Sequence, residues 1–142
     1  MLNNVTLKFG EKSMNFEVII IAEAALILAE SLDYIGNLYG FEKDNVWGLH
    51  EEDYKSPVDN PLKKQQEQIL FLREIFPKEN IYNVKIDNYV VFLGKDKYFS
   101  YYGKSSACIT YKKFKKLLNS DKYKSSGNLK PDLVKKALEK YI

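Results

Sequence analysis

The spacing of apolar residues changes several times along this chain of 142 residues, and these changes constrain its fold more than any other feature. Near the N-terminus, apolar side chains alternate over residues 5–9 and again over residues 14–20, with a polar turn at residues 10–13 between them. Alternation with a period of two is typical of strands, so this part predicts a β-hairpin. From Ala22 to Ile35 the residues are good helix formers and the apolar ones recur at helical spacing, which predicts a helix at the centre of the core.

A second helix is predicted to begin at residue 60. Asn60 is a favourable N-cap residue, Pro61 suits the first helical position, and Pro77 would end the helix. Residues 41–59 show no sustained period, so we expect an irregular connection there.

The C-terminal half combines strand-like runs with two further helices. Three apolar or aromatic runs, at residues 81–86, 89–93 and 98–102, are separated by turn-forming residues and predict a three-stranded antiparallel meander. Thr110 can cap one later helix and Pro131 can open another. The sequence therefore predicts an α+β fold of order ββααβββαα in a single compact domain over residues 1–142.

Charge is divided between an acidic half and a basic half. Residues 1–71 contain six lysines and twelve carboxylates, a net charge of −6, whereas residues 72–142 contain sixteen basic and seven acidic side chains, a net charge of +9. A surface of one sign attracts partners of the other sign and steers their association. The charge pattern therefore bears on partners rather than on a particular reaction.

The basic half favours a surface that contacts a polyanion. Lysines on the outer faces of two predicted helices could contact phosphates, and exposed tyrosines beside lysines suit base stacking. No Arg follows Arg73, so we expect little readout of bases. Lysine-rich helix faces also serve solvation alone, but the scarcity of Lys–Glu pairs at helical spacing favours a binding role. The residues predicted to contact nucleic acid are Lys95, Lys97, Tyr98, Tyr101, Tyr102, Lys104, Lys112, Lys113, Lys115, Lys116, Lys122 and Lys124.

The preferred interpretation is a non-enzymatic binding protein for DNA, RNA or a nucleoprotein. One alternative is a small inhibitor, immunity protein or adaptor of a phage or other mobile element, in which Trp47 anchors a protein interface and Glu51, Glu52 and Asp53 supply an acidic surface. Opposite charges on the two halves would also permit a homodimer.

The other alternative is a hydrolase or nuclease that uses Cys108, His50 or the acidic residues 51–53. Cys108 and His50 could form a nucleophile and base pair, but the sequence does not bring them together. His50 lacks the partners of known zinc motifs, and the scattered glycines form no phosphate-binding loop. We therefore expect no catalytic residues, metal or cofactor.

The N-terminus lacks a basic region followed by an apolar stretch and a cleavage site, so no secretory signal is expected. The most apolar stretch, residues 17–32, contains charged side chains and is too short for a membrane span. The single cysteine excludes an internal disulfide. These features predict a cytoplasmic protein without membrane contact.

Overall fold

The computed structural model describes residues 1–95 and 97–142, which form two β-sheets and four helices. In chain order the elements are β1 (Leu2–Phe9), β2 (Lys12–Ile21), β3 (Leu26–Leu32), β4 (Gly36–Tyr39), β5 (Val46–Glu51), β6 (Tyr54–Asp59), α1 (Pro61–Lys78), β7 (Ile86–Phe92), β8 (Phe99–Tyr102), β9 (Cys108–Thr110), α2 (Tyr111–Leu118), α3 (Asp121–Lys124) and α4 (Pro131–Glu139). The predicted α+β class is confirmed.

Sheet A has five strands in the order β1-β2-β3-β7-β9. β1 and β2 form the predicted N-terminal hairpin, and β2 pairs antiparallel with β3. β7 lies parallel to both β3 and β9. Helices α1 and α4 pack on one face of sheet A, while α2 and α3 pack on the other. The sheet is therefore a buried layer between two layers of helices.

The core helix predicted over residues 22–35 is wrong, because this segment contains the central strand β3. Leu28 on β3 packs in the core beneath α1, and Ile27 packs in the core on the opposite face. A strand buried on both faces has a continuous apolar sequence, which periodicity alone does not distinguish from a buried helix. The pairing with β2 and β7 decides in favour of the strand.

Sheet B has four strands in the order β6-β5-β4-β8, with β8 parallel to β4. The irregular connection predicted over residues 41–59 is therefore wrong, because residues 46–59 form the β5–β6 hairpin. Only Trp47 and Leu49 of β5 are buried, so the alternation is too short to detect. β6 is a largely exposed edge strand that accommodates Pro57 and carries no apolar pattern.

Helix α1 confirms the prediction at its N-terminus. The Asn60 side chain accepts a hydrogen bond from the Leu62 N–H at 2.9 Å, and Pro61 occupies the first turn. The Asn60 amide also donates to the carbonyls of Glu42 and Asp44, at 3.0 and 2.6 Å. The cap thus fixes the first turn of α1 against the β4–β5 connection.

The predicted antiparallel meander is wrong. Residues 81–85 form a connection rather than a strand, and β7 and β8 belong to different sheets. Asp87 and Asn88 resemble turn residues in sequence, but both lie within β7, opposite Ile27 and Leu28 of β3. Their polar side chains are accommodated there because each has a hydrogen-bonding partner from a helix.

The predicted C-terminal helices are confirmed. The Thr110 hydroxyl accepts a hydrogen bond from the Lys113 N–H at 3.2 Å and caps α2, and Pro131 begins α4. The short helix α3 lies between them. None of the helices in the described part of the chain combines the length and apolarity that a membrane crossing requires.

Candidate functional site

Two glutamates occupy neighbouring backbone positions where strands β2 and β3 separate. The β2–β3 ladder ends at the pair Val18–Ala29, and the next positions in the same register are Glu17 and Glu30. The Glu17 carboxylate accepts hydrogen bonds from both the N–H and the hydroxyl of Ser31, the latter at 2.8 Å. Glu17 is thereby held beside the residue that follows Glu30.

The Glu30 carboxylate lies on the face of sheet A that α1 covers, and its side chain is only 18% exposed. Its Oε1 atom accepts a hydrogen bond from the Lys64 ammonium at 2.9 Å. Its Oε2 atom is buried and has no partner, unlike the other buried side-chain polar atoms in the described residues. An unsatisfied buried carboxylate oxygen is costly and calls for a functional or structural explanation.

The first two turns of α1 add a second layer of polar side chains around this position. Gln65 is fully buried; its amide donates to the Tyr89 carbonyl at 2.8 Å and its oxygen accepts from the Asn88 amide at 2.8 Å. Gln68 donates to the Asn15 carbonyl at 2.8 Å. These bonds join α1 to β7 and β2, so they fix the orientation of the helical turn that carries Lys64.

The pair of carboxylates has the chemistry of a site for a hard divalent cation. Mg²⁺ is usually held by one or two carboxylates, while waters and substrate phosphates complete its coordination. Glu17 and Glu30 fit that donor set, and a cation there would satisfy the unpartnered Glu30 oxygen. Groups of three or more metal-ligating side chains are not found within residues 1–95 and 97–142. The pair with Lys64 is therefore the site with the clearest capacity for chemistry.

A cleft lined with lysines lies on the opposite face of sheet A. It has a volume of about 470 Å³. The lining residues are Tyr89, Ser106, Ile109, Lys113, Lys116, Leu117, Ser120 and Lys122. Three ammonium groups and two serine hydroxyls in one cleft are suited to binding a phosphate.

A directed chain of hydrogen bonds includes Tyr89 and Lys122, which line this cleft. The Tyr123 hydroxyl donates to Asp87 at 2.6 Å, so the Tyr89 hydroxyl, 2.6 Å away, must donate to Tyr123. Lys122 in turn donates to the Tyr89 hydroxyl at 3.3 Å. Burial raises the pKa of Tyr123, and its bond to Asp87 raises that pKa further. The Tyr123 phenol therefore stays protonated and keeps this direction of donation.

The lysines predicted to contact nucleic acid are all exposed, and those on α2 and α3 line adjoining grooves, since Lys116 borders two of them. Lys112, Lys115 and Lys116 line a second groove with Tyr111, and Lys124 borders a third. The remaining predicted residues lie on or near β8 and are exposed: Lys95, Lys97, Tyr98, Tyr102 and Lys104. Among all these lysines, only Lys122 forms an ion pair with a carboxylate in the described residues.

Two residues predicted to lie on binding surfaces pack in or against the core of sheet B. Trp47, the predicted interface anchor, is 1% exposed and donates from Nε1 to the Phe41 carbonyl at 3.0 Å. Tyr101, predicted to contact nucleic acid, packs on Trp47, and its hydroxyl donates to the Gly40 carbonyl at 2.9 Å. The Trp47 prediction is wrong, because its side chain projects from the face of sheet B that packs against sheet A; Tyr101 is only partly buried on that face, and its contact with nucleic acid stays a prediction.

The acidic residues 51–53 form the exposed tip of the β5–β6 hairpin. Glu52 adopts a left-handed backbone conformation there, with φ of 42°. Their role in protein binding stays a prediction.

Cys108 and His50 lie on opposite sides of sheet B and do not form a catalytic pair. Cys108 packs in the core on the inner side, beside Tyr101. His50 lies on the outer side, where its ring is 4.6 Å from that of Tyr39. Strand alternation in β5 separates the two sites, because the neighbouring Leu49 points into the core.

Cys108→Ser should leave any catalytic activity unchanged. Burial raises the pKa of the Cys108 thiol, so the reactive thiolate is scarce at neutral pH. We expect slow reaction of the native protein with a disulfide reagent, at a rate that rises with pH above neutrality, and fast reaction once the protein is unfolded. Loss of activity in the serine variant would assign chemistry to the thiol instead.

Sequence reasoning missed Glu17, Glu30 and Lys64. In the sequence, Glu30 is one of the charged residues within the apolar stretch at residues 17–32. The signal for Glu30 is its position within a continuous apolar run. A carboxylate is rarely buried among apolar residues unless it has a partner or a function.

Comparison with known proteins identifies the family. The family model described as NERD, nuclease-related domain, matches residues 1–93, which include Glu17, Glu30, Lys64 and Gln65. No curated protein and no solved structure was found to match the chain. The family match overturns the interpretation as a non-enzymatic binding protein and favours the hydrolase or nuclease alternative, although not through Cys108 and His50. Since the match covers well over half of its length, the chain belongs to the NERD family of nuclease-related domains.

Proposed function

We propose that this protein hydrolyses phosphodiester bonds in nucleic acid at a site formed by Glu17, Glu30 and Lys64. The observation that carries the proposal is the buried, unpartnered Oε2 atom of Glu30 beside the Lys64 ammonium. In a chain of the nuclease-related family, these groups are the ones whose chemistry suits cleavage of a phosphodiester.

Each of the three side chains has a separate role in this proposal. Glu17 and Glu30 would hold a divalent cation, which supplies Lewis-acid stabilisation of the phosphate when it is bound. Ser31 orients the Glu17 carboxylate through two hydrogen bonds. Lys64 places a positive charge next to Glu30, where it would offset the negative charge that develops on the phosphate in the transition state.

Nucleic acid is the proposed partner of the exposed lysines as well. Lys113, Lys116 and Lys122 converge on one cleft and would hold backbone phosphates away from the bond that is cleaved, because the cleft lies across sheet A from Glu30. Contacts of this type are independent of base sequence and weaken as salt rises. The salt dependence of KM in a cleavage assay measures their contribution.

Lys64→Met should lower kcat for nucleic-acid cleavage by about a hundredfold, because a positioned charge or proton donor is lost from the transition state. The assay would use labelled single-stranded and duplex DNA and RNA with Mg²⁺ or Mn²⁺, and EDTA should abolish cleavage.

Lys63→Met is the matched control. Lys63 is the preceding residue on α1, but its side chain is exposed and bonds to Asn45 instead of Glu30. It should keep the wild-type kcat, and circular dichroism would establish that both variants fold. Full activity in Lys64→Met, or no cleavage by the wild-type protein on any of these substrates, would contradict the proposal.

A further inference from the structure

Three aromatic rings lie against one another on the outer face of sheet B. The rings of Tyr39 and Tyr102 are nearly parallel, with an interplanar angle of 13° and centroids 4.9 Å apart. The His50 ring lies 4.6 Å from Tyr39, at an angle of 45°. Tyr39 is 40% exposed and Tyr102 is 50% exposed. We call Tyr39, His50 and Tyr102 the aromatic platform.

Strand register explains why the platform faces outward. Tyr39 pairs with Tyr102 of β8, and Asn37 pairs with His50 of β5, so these residues share one side of the sheet. Their chain neighbours, such as Leu38, fill the core on the other side. The core of sheet B is complete without the platform, so packing does not account for its rings.

The surface around the rings leaves space for a flat ligand. Gly48 pairs with Tyr39, and a Cβ at Gly48 would meet only the His50 ring, at 3.5 Å. A glycine at this position therefore leaves a shallow recess beside the platform. Asn37 and Ser100 pair with each other on the same face and offer hydrogen-bonding groups next to the rings.

Charge is distributed unevenly along this face. Lys55 pairs with His50, and Lys104 follows Tyr102 at the far end of β8. The acidic hairpin tip at residues 51–53 lies at the opposite end of the sheet, because β5 runs antiparallel to β4 whereas β8 runs parallel to it. A negatively charged strand lying over the platform would extend toward Lys104.

We infer that the aromatic platform stacks unpaired bases of single-stranded nucleic acid. The inference rests on the proposed function and deepens it, since it names the form of nucleic acid that the protein holds. Aromatic and histidine side chains stack bases only when the base faces are free, as in single strands, loops and ends. Bases in a duplex are already stacked and do not reach such a surface.

The test is fluorescence anisotropy with labelled oligo(dT) and with a duplex of equal length, both in EDTA so that no cleavage occurs. Tyr39→Leu and Tyr102→Leu should each weaken binding of oligo(dT) by about tenfold, because each stacked base contributes substantially to affinity. Tyr39→Phe, which keeps the ring, should bind oligo(dT) as the wild type does. Duplex binding should be the same in all these proteins.

Tyr82→Leu is the matched control, because Tyr82 is 63% exposed but lies in the connection before β7. It should bind oligo(dT) normally. Unchanged oligo(dT) binding in the Tyr39 and Tyr102 leucine variants, or an equal loss of single-strand and duplex binding, would overturn the inference. Dissociation of a wild-type dimer in these variants would overturn it in favour of self-association.

Glu30→Gln should keep oligo(dT) binding, so failure of the proposed catalysis remains distinguishable from failure of the platform.

Discussion

Glu30→Gln should lower kcat for nucleic-acid cleavage by about a thousandfold, while KM changes much less. Glutamine preserves the shape of the side chain but removes the charge that a divalent cation requires. The Oε2 position of Glu30 is buried without a partner, so no neighbouring group can take over this role. The loss should therefore appear in the chemical step rather than in substrate binding.

Glu74→Gln provides the control for the loss of a carboxylate from an ion pair. Glu74 also pairs with a lysine, Lys12 at 3.5 Å, but its side chain is 48% exposed on the surface of α1. Its replacement should leave kcat unchanged. Wild-type activity in Glu30→Gln would mean that the Glu30–Lys64 pair serves stability alone.

A second readout for Glu30→Gln does not depend on turnover. A cation that binds only the folded protein raises its stability by about 2.7 kcal/mol at a concentration of 100 times Kd. Mg²⁺ should therefore raise the melting temperature of the wild type and of Glu74→Gln, but not that of Glu30→Gln. An equal shift in all three proteins would place the cation elsewhere.

Trp47→Ala should lower the free energy of unfolding by about 3–5 kcal/mol. The indole is 1% exposed, and its N–H donates a hydrogen bond to the Phe41 carbonyl. It packs against the ring of Tyr101, with the ring centroids 5.6 Å apart. The chain also approaches it closely at Gly40, where a Cβ would lie 2.1 Å from the indole. Removing the ring leaves a large cavity in the core of sheet B.

Urea denaturation followed by circular dichroism measures this effect. Tryptophan fluorescence does not serve here, because the variant lacks the only tryptophan of the chain. Trp47→Phe should cost less, since it refills most of the volume. Gly40→Ala should also destabilise the fold, because its methyl group would collide with the indole. If Trp47→Ala kept wild-type stability and lost a protein partner, the original interface prediction would be restored.

Local signals in the sequence were sufficient for those elements whose stabilising contacts are close along the chain. The β1–β2 hairpin joins neighbouring segments, and Asn60 caps α1 through a bond to Leu62. The strand β3 was not predictable in this way, because its partner Ile86 lies 60 positions after Leu26. The helix-forming residues of β3 adopt a strand because pairing and burial on two faces outweigh their intrinsic preference.

The candidate site depends on how β2, β3 and α1 come together in the fold. Glu17 is on β2, Glu30 on β3 and Lys64 on α1, and no fixed spacing connects them. Their proximity follows from the antiparallel register of β2 and β3 and from the position of α1 above the sheet. The exposure of the lysines was predictable from helical periodicity, but the grooves that they line were not.

The parallel pairing of β3 with β7 also has a consequence for biosynthesis. Strands β4 to β6 and the whole of α1 must leave the ribosome before β7 can reach β3. Until then, one edge of a highly apolar strand lacks its neighbour and offers free backbone groups to other nascent chains. Variants that delay the docking of β7 should therefore accumulate as insoluble material in the cell.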